Sequence, residues 1–88
     1  MFLEELDGAK VLYFTPEDDY GVMHYDTGGV VVHFKYLAIC KYDNSDGYYL
    51  FCCNENEEVE ADSLWDSVNE CMGVANSSCG GNILWVKK

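Results

Sequence analysis

Six consecutive residues, Tyr48 to Cys53, carry no charged side chain, and Gly47 and Asn54 bound them. Successive side chains of a strand point to opposite sides, so an apolar run of this length reads as a β-strand covered on both faces. The chain must therefore supply material for two faces of one sheet. The character changes abruptly beyond the run. Asn54 to Glu58 hold three carboxylates and no apolar group, the composition of a solvated turn, and Val59 to Ala61 fit a short return strand. Asp62 or Ser63 then offers a cap, and Ser63 with Asp66 gives an S-x-x-D start signal. Leu64, Trp65, Val68, Cys71, Met72 and Ala75 recur at three- and four-residue intervals, which predicts a helix from there with its apolar stripe on the sheet.

The rest of the chain reads mainly as strands. Phe2, Leu3 and Leu6 have helical spacing for at most a turn or two, ended by Asp7-Gly8. Val11 to Thr15 is a strand candidate, Pro16 to Asp19 a turn with proline and acids, and Tyr20 to Tyr25 the return strand. Asp26-Thr27-Gly28-Gly29 supplies the next reversal. Val30 to Tyr42 stays β-forming for longer than most strands, which predicts a bend near His33 to Tyr36, and Asn44 to Gly47 closes a hairpin onto Tyr48. Asn76 to Ser78 with Gly80-Gly81 read as a loop, and Asn82 to Val86 as a terminal strand. These elements imply an α+β fold, an antiparallel meander of four or five strands with one helix packed across one face. A chain of 88 residues is expected to form a single domain, 1–88, with a stability of about 4 to 13 kcal/mol.

Charge constrains function more than any local motif. Sixteen Asp and Glu stand against five Lys and no Arg, a formal net charge of -11. From Tyr42 to Val86 there are nine carboxylates and no cationic residue. Such a surface draws in cationic partners and lacks the basic face that phosphate neutralisation needs, so direct binding to nucleic acid or to an anionic membrane is not expected. The densest carboxylates, Glu55, Glu57, Glu58 and Glu60, together with Asp43 and Asp46, are the candidate partner-binding residues. The two groups flank opposite ends of the strand at Tyr48 to Cys53.

No catalytic or metal constellation is visible. The five cysteines, Cys40, Cys52, Cys53, Cys71 and Cys79, show no C-x2-C spacing, and Cys52 and Cys53 point to opposite faces if they share a strand. An odd count and no leader-like apolar run at Met1 to Leu6 predict reduced core thiols in a cytoplasmic protein. His24 and His33 lie in strand candidates with no nucleophile or carboxylate at a fixed spacing, and read as ordinary hydrogen-bonded histidines. The acidic turn has no predicted apolar pocket to raise a carboxyl pKa. The expectation is a protein that is not an enzyme and carries no cofactor or metal.

The segment Leu37 to Met72, with its strand, hairpin, Gly-Tyr-Tyr-Leu-Phe, acidic turn and following helix, and the Trp85 segment resemble small acidic immunity-type proteins of bacterial toxin–immunity systems. The resemblance implies a protein that blocks a cognate toxin enzyme, often one with a basic substrate groove. A carboxylate-rich surface suits such a partner and speeds its capture. An acidic nucleic-acid mimic of the anti-restriction or anti-CRISPR type is the alternative, and a small enzyme of unknown class the third.

Overall fold

The strand at Tyr48 to Cys53 is an interior strand of the main sheet in the computed structural model, which describes residues 2–24 and 28–88. In chain order the elements are β1 (Glu5–Leu6), β2 (Ala9–Phe14), β3 (Val22–His24), β4 (Val31–His33), β5 (Tyr36–Lys41), β6 (Tyr48–Cys53), β7 (Val59–Trp65), α1 (Val68–Ser78) and β8 (Val86–Lys87). The class is α+β: an antiparallel curled sheet in the order β1-β2-β5-β6-β7, with β8 on β2, a separate β3–β4 pair and one helix. The main sheet thus has six strands among the described residues, against the four or five expected.

Both faces of β6 are covered, as its composition requires. Phe51 and Cys53 join Phe2, Leu6, Ala9, Val11, Ala38 and Cys40 on one side. Leu50 joins Tyr20, Leu37, Ile39, Cys71 and Ala75 on the other, where α1 lies. The curl of the sheet and the N-terminal segment close the first side, with Phe2 stacked on Phe14 at 5.2 Å between ring centroids. A β-bulge between Val11 and Tyr13 lets β2 serve both clusters. Without the extra residue, positions 11 and 13 would face the same way.

Four expectations are corrected. Asp62 to Trp65 are strand, not helix. They pair in register with Phe51, Leu50, Tyr49 and Tyr48, because a central strand leaves costly unpaired N–H and C=O groups unless a neighbour matches its full length. The helix starts at Val68 behind Ser67, whose Oγ accepts a hydrogen bond from the Glu70 N–H at 3.1 Å. At its other end the helix runs through Asn76 to Ser78, which were expected as loop. Glu5–Leu6 form a strand rather than a helical turn: Leu6 pairs with Ala9 across Asp7-Gly8, both at positive φ, the two-residue turn that aspartate and glycine favour.

The fourth correction concerns Pro16 to Asp19. No reversal occurs there, and β3 does not return onto β2. Phe14 lies opposite Ala38 and Val22 opposite His33, so β2 and β3 are two parts of one arm running antiparallel to β4 and β5. Seven residues, 15–21, stand opposite four, 34–37, which kinks a single long ribbon. The bend expected near His33 to Tyr36 is the other side of that kink. Gly28 and Gly29 both take positive φ at the ribbon's tip, while Tyr25 and the Asp26-Thr27 part of the expected reversal lie outside the described residues, as does Met1.

Candidate functional site

Asn54 builds the acidic turn between β6 and β7. Its Oδ1 accepts hydrogen bonds from the N–H groups of Asn56 at 2.8 Å and Glu58 at 3.1 Å, an Asx-type closure. Its Nδ2 donates to Glu58 Oε1 at 3.1 Å and Glu60 Oε2 at 2.7 Å. One amide therefore fixes the loop and draws two carboxylates to the same point. Glu60 is also the extra residue of a bulge, since Cys52 pairs with Ala61 and Cys53 with Val59. Glu55 and Glu58 are exposed.

The kink of the long ribbon brings a second acidic segment to this turn. The Lys35 N–H donates to the Cys53 carbonyl at 2.8 Å, and the Lys35 carbonyl accepts from the Asp18 N–H at 3.1 Å. Two such steps of about 4.8 Å place the Glu17-Asp18-Asp19 segment roughly 10 Å from the end of β6. Tyr36 confirms the approach from the side. Its hydroxyl donates to Glu17 Oε1 at 3.4 Å, and its phenol is pushed above the usual value by desolvation first and then by the carboxylates of Glu17 and Glu57. Glu17 thus joins Glu55, Glu57, Glu58 and Glu60 at one pole, while Asp18 and Asp19, next in the chain, line a separate cleft with Cys79 and Gly81 to Leu84. Within residues 15–21, 34–37 and 54–60 the sequence has one lysine, Lys35.

Asp43 and Asp46 do not join this pole. They are exposed on the loop at the opposite end of β6, where Lys41 Nζ donates to the Ser45 carbonyl at 2.7 Å and Lys10 lies directly across from Lys41. That end therefore has mixed charge. Glu57 departs from expectation differently. It adopts a positive φ of 62° and turns inward, lining a cleft of about 180 Å³ with Phe2, Phe14, Thr15, Pro16 and Tyr36.

The thiols split as the strand alternation predicts: Cys53 packs in one cluster and Cys52 against the other. Burial pushes the Cys40, Cys52 and Cys53 thiols up to about 12, and Cys71 to about 11. Groups held so far above neutrality stay protonated and are poor nucleophiles. His24 and His33 are exposed on one face of the β3–β4 ribbon, beside Val22 and Val31.

Asn54 and Glu17 to Asp19 were not singled out from sequence. An Asn opening an acid-rich turn was a readable signal for the first. The second depends on a ribbon kink with no local signature. No family model, curated protein or solved structure matches this chain. Among the described residues, no helix is long and apolar enough to cross a membrane.

Proposed function

We propose that this chain is a binding protein whose acidic pole covers the cationic surface of a protein partner, in the manner of an immunity protein blocking the basic substrate groove of a toxin enzyme. The supporting observation is the approach of two acidic segments, residues 17–19 and the Asn54-held turn 55–60, to one end of β6, with Lys35 the one lysine in these stretches. A fixed array of like charges costs folding stability through repulsion. The cost is offset when an oppositely charged surface meets it, and steering by the array raises association above the ~10^5 to 10^6 M⁻¹s⁻¹ of a neutral pair. In this reading Glu55, Glu58 and Glu60 with Glu17 to Asp19 form the contact, and Asp43 and Asp46 lie outside it.

The test begins with capture of partners from the native host by the immobilised protein and identification of what binds. A basic protein whose enzymatic activity is inhibited in the complex is the expected result. Replacing Glu55 and Glu58 by Lys should then slow association and flatten its salt dependence, with little change in melting temperature. A double variant that associates as fast as the wild type at both low and moderate salt would remove the acidic pole from the contact.

A further inference from the structure

Glu57 combines a positive φ, set by the Asn54 turn, with a side-chain oxygen that finds no partner among the described residues. Its backbone sits at φ 62°, where glycine or asparagine is at ease and other residues are strained. Its Oε1 is buried without a hydrogen-bond partner among the described residues, although a buried acceptor left unpaired is destabilising. The neighbours of that oxygen are specific. The cleft it lines, about 180 Å³, is walled by Phe2, Phe14 and Tyr36. Phe2 and Phe14 stack with their planes 10° apart, and Tyr36 tilts against Phe2 at 5.6 Å. Glu17 reaches the rim through the Tyr36 hydroxyl.

Aromatic walls with an unpaired carboxylate oxygen inside and a second carboxylate at the mouth suit a planar cation. A guanidinium stacks flat on a ring, donates to a carboxylate in plane and sheds water more readily than an ammonium. We infer that the Phe2–Phe14–Tyr36 cleft is a guanidinium-binding subsite in which Glu57 Oε1 takes the hydrogen bond. On the reading proposed above, on which this assignment of the ligand rests, the guanidinium belongs to an arginine of the basic partner. The surrounding carboxylates then steer the partner, and the cleft fixes its register.

The experiment uses the whole protein and three small probes: Nα-acetyl-arginine amide, its uncharged isostere Nα-acetyl-citrulline amide, and Nα-acetyl-lysine amide. Proton NMR titration should show the arginine probe shifting the Phe14 and Tyr36 ring signals with a Kd on the order of millimolar, as expected for one side chain with no other contacts. Citrulline should produce no saturable shift, and lysine should bind at least about fivefold more weakly. Glu57→Gln keeps the shape of the side chain and should weaken the arginine probe about tenfold or more. Equal responses to arginine and citrulline, a lysine probe as tight as arginine, or an unchanged affinity in Glu57→Gln would each overturn the subsite. The wild-type comparison decides the matter even if the variant is poorly folded. The probes need no partner, so the two proposals fail separately. Probe binding without any basic partner in the capture experiment sinks the proposed function, whereas a salt-dependent basic partner with an unresponsive cleft sinks the guanidinium subsite alone.

Discussion

Gly47 lies so close to Leu64 that a Cβ at position 47 would be 2.6 Å from Leu64 Cδ1 and 3.0 Å from the Trp65 carbonyl oxygen. The β5–β6 hairpin and the end of β7 approach at this point only because residue 47 has no side chain. Gly47→Ala should therefore destabilise the protein by about 1 to 3 kcal/mol, the range for forced overpacking. Leu64 is 54% exposed and can swing outward, but the Trp65 carbonyl cannot. Adding Leu64→Ala should thus recover part of the loss and not all of it. Urea denaturation of the two single variants and the double variant measures this directly, and full recovery would show that the backbone contact is unimportant.

The helix boundary makes a second prediction. Ser67 Oγ caps the Glu70 N–H, and Glu70 Oε1 reaches back past the cap to accept from the Asp66 N–H at 3.1 Å, a variant of the capping box displaced by one residue. Ser67→Ala should cost about 1 kcal/mol, which in a domain of this size lowers the melting temperature by roughly 4 to 8 °C. Asp62→Ala, in an exposed strand position, should change it far less. On the same helix Ala75 is fully buried and Val68 half-buried at the first position, where an acid meets the favourable end of the dipole. Ala75→Asp should be much more damaging than Val68→Asp. The reverse order in thermal melts followed by circular dichroism would contradict the placement of the helix.

Asn54 offers a third test, because its two ends do different work. Asn54→Ala removes both the loop closure and the bridge to Glu58 and Glu60, and should cost about 1 to 3 kcal/mol. Asn54→Asp keeps the acceptor for the Asn56 and Glu58 N–H groups but sets a third carboxylate against Glu58 and Glu60. Its stability deficit should shrink as added salt screens the repulsion. A deficit for Asn54→Asp that does not depend on salt would show that the repulsion between the three carboxylates matters little.

The buried thiols set the alkaline limit of the fold. Cys40 and Cys53 are raised from an ordinary value of 9.0 to about 12, chiefly by burial. The unfolded chain ionises first as pH rises, so their contribution is fully present below pH 9 and is lost between pH 9 and pH 12. Each should reduce stability by about 1.4 kcal/mol per pH unit in that window. Urea denaturation at pH 7, 9 and 10 under reducing conditions checks the slope, and Cys53→Ala should flatten it by the share of one thiol. Alkylation adds an independent readout: five adducts after denaturation, with Cys40, Cys53 and Cys71 protected in the native protein.

Local sequence determined the elements whose side chains settle their own environment. Tyr48 to Cys53 had to be a strand buried on two sides, and Asn54 to Glu58 had to be a solvated turn, since neither composition is stable elsewhere. The bend in the long β segment before Tyr42 was legible from its length. Pairing decided what lay beyond that reach. Asp62 to Trp65 have helical spacing, yet β6 needed a ladder partner along its whole length, and backbone hydrogen bonding outweighed a weak helical preference. Pro16 to Asp19 have the residues of a reversal, but the register of β3 with β4 makes them one side of a kink. Only that kink sets Glu17 to Asp19 beside the Glu55–Glu60 turn, and only the close of the N-terminal segment over the sheet gives Glu57 its aromatic cleft. The net charge is a property of composition, whereas its concentration at one pole depends on contacts between segments more than thirty residues apart.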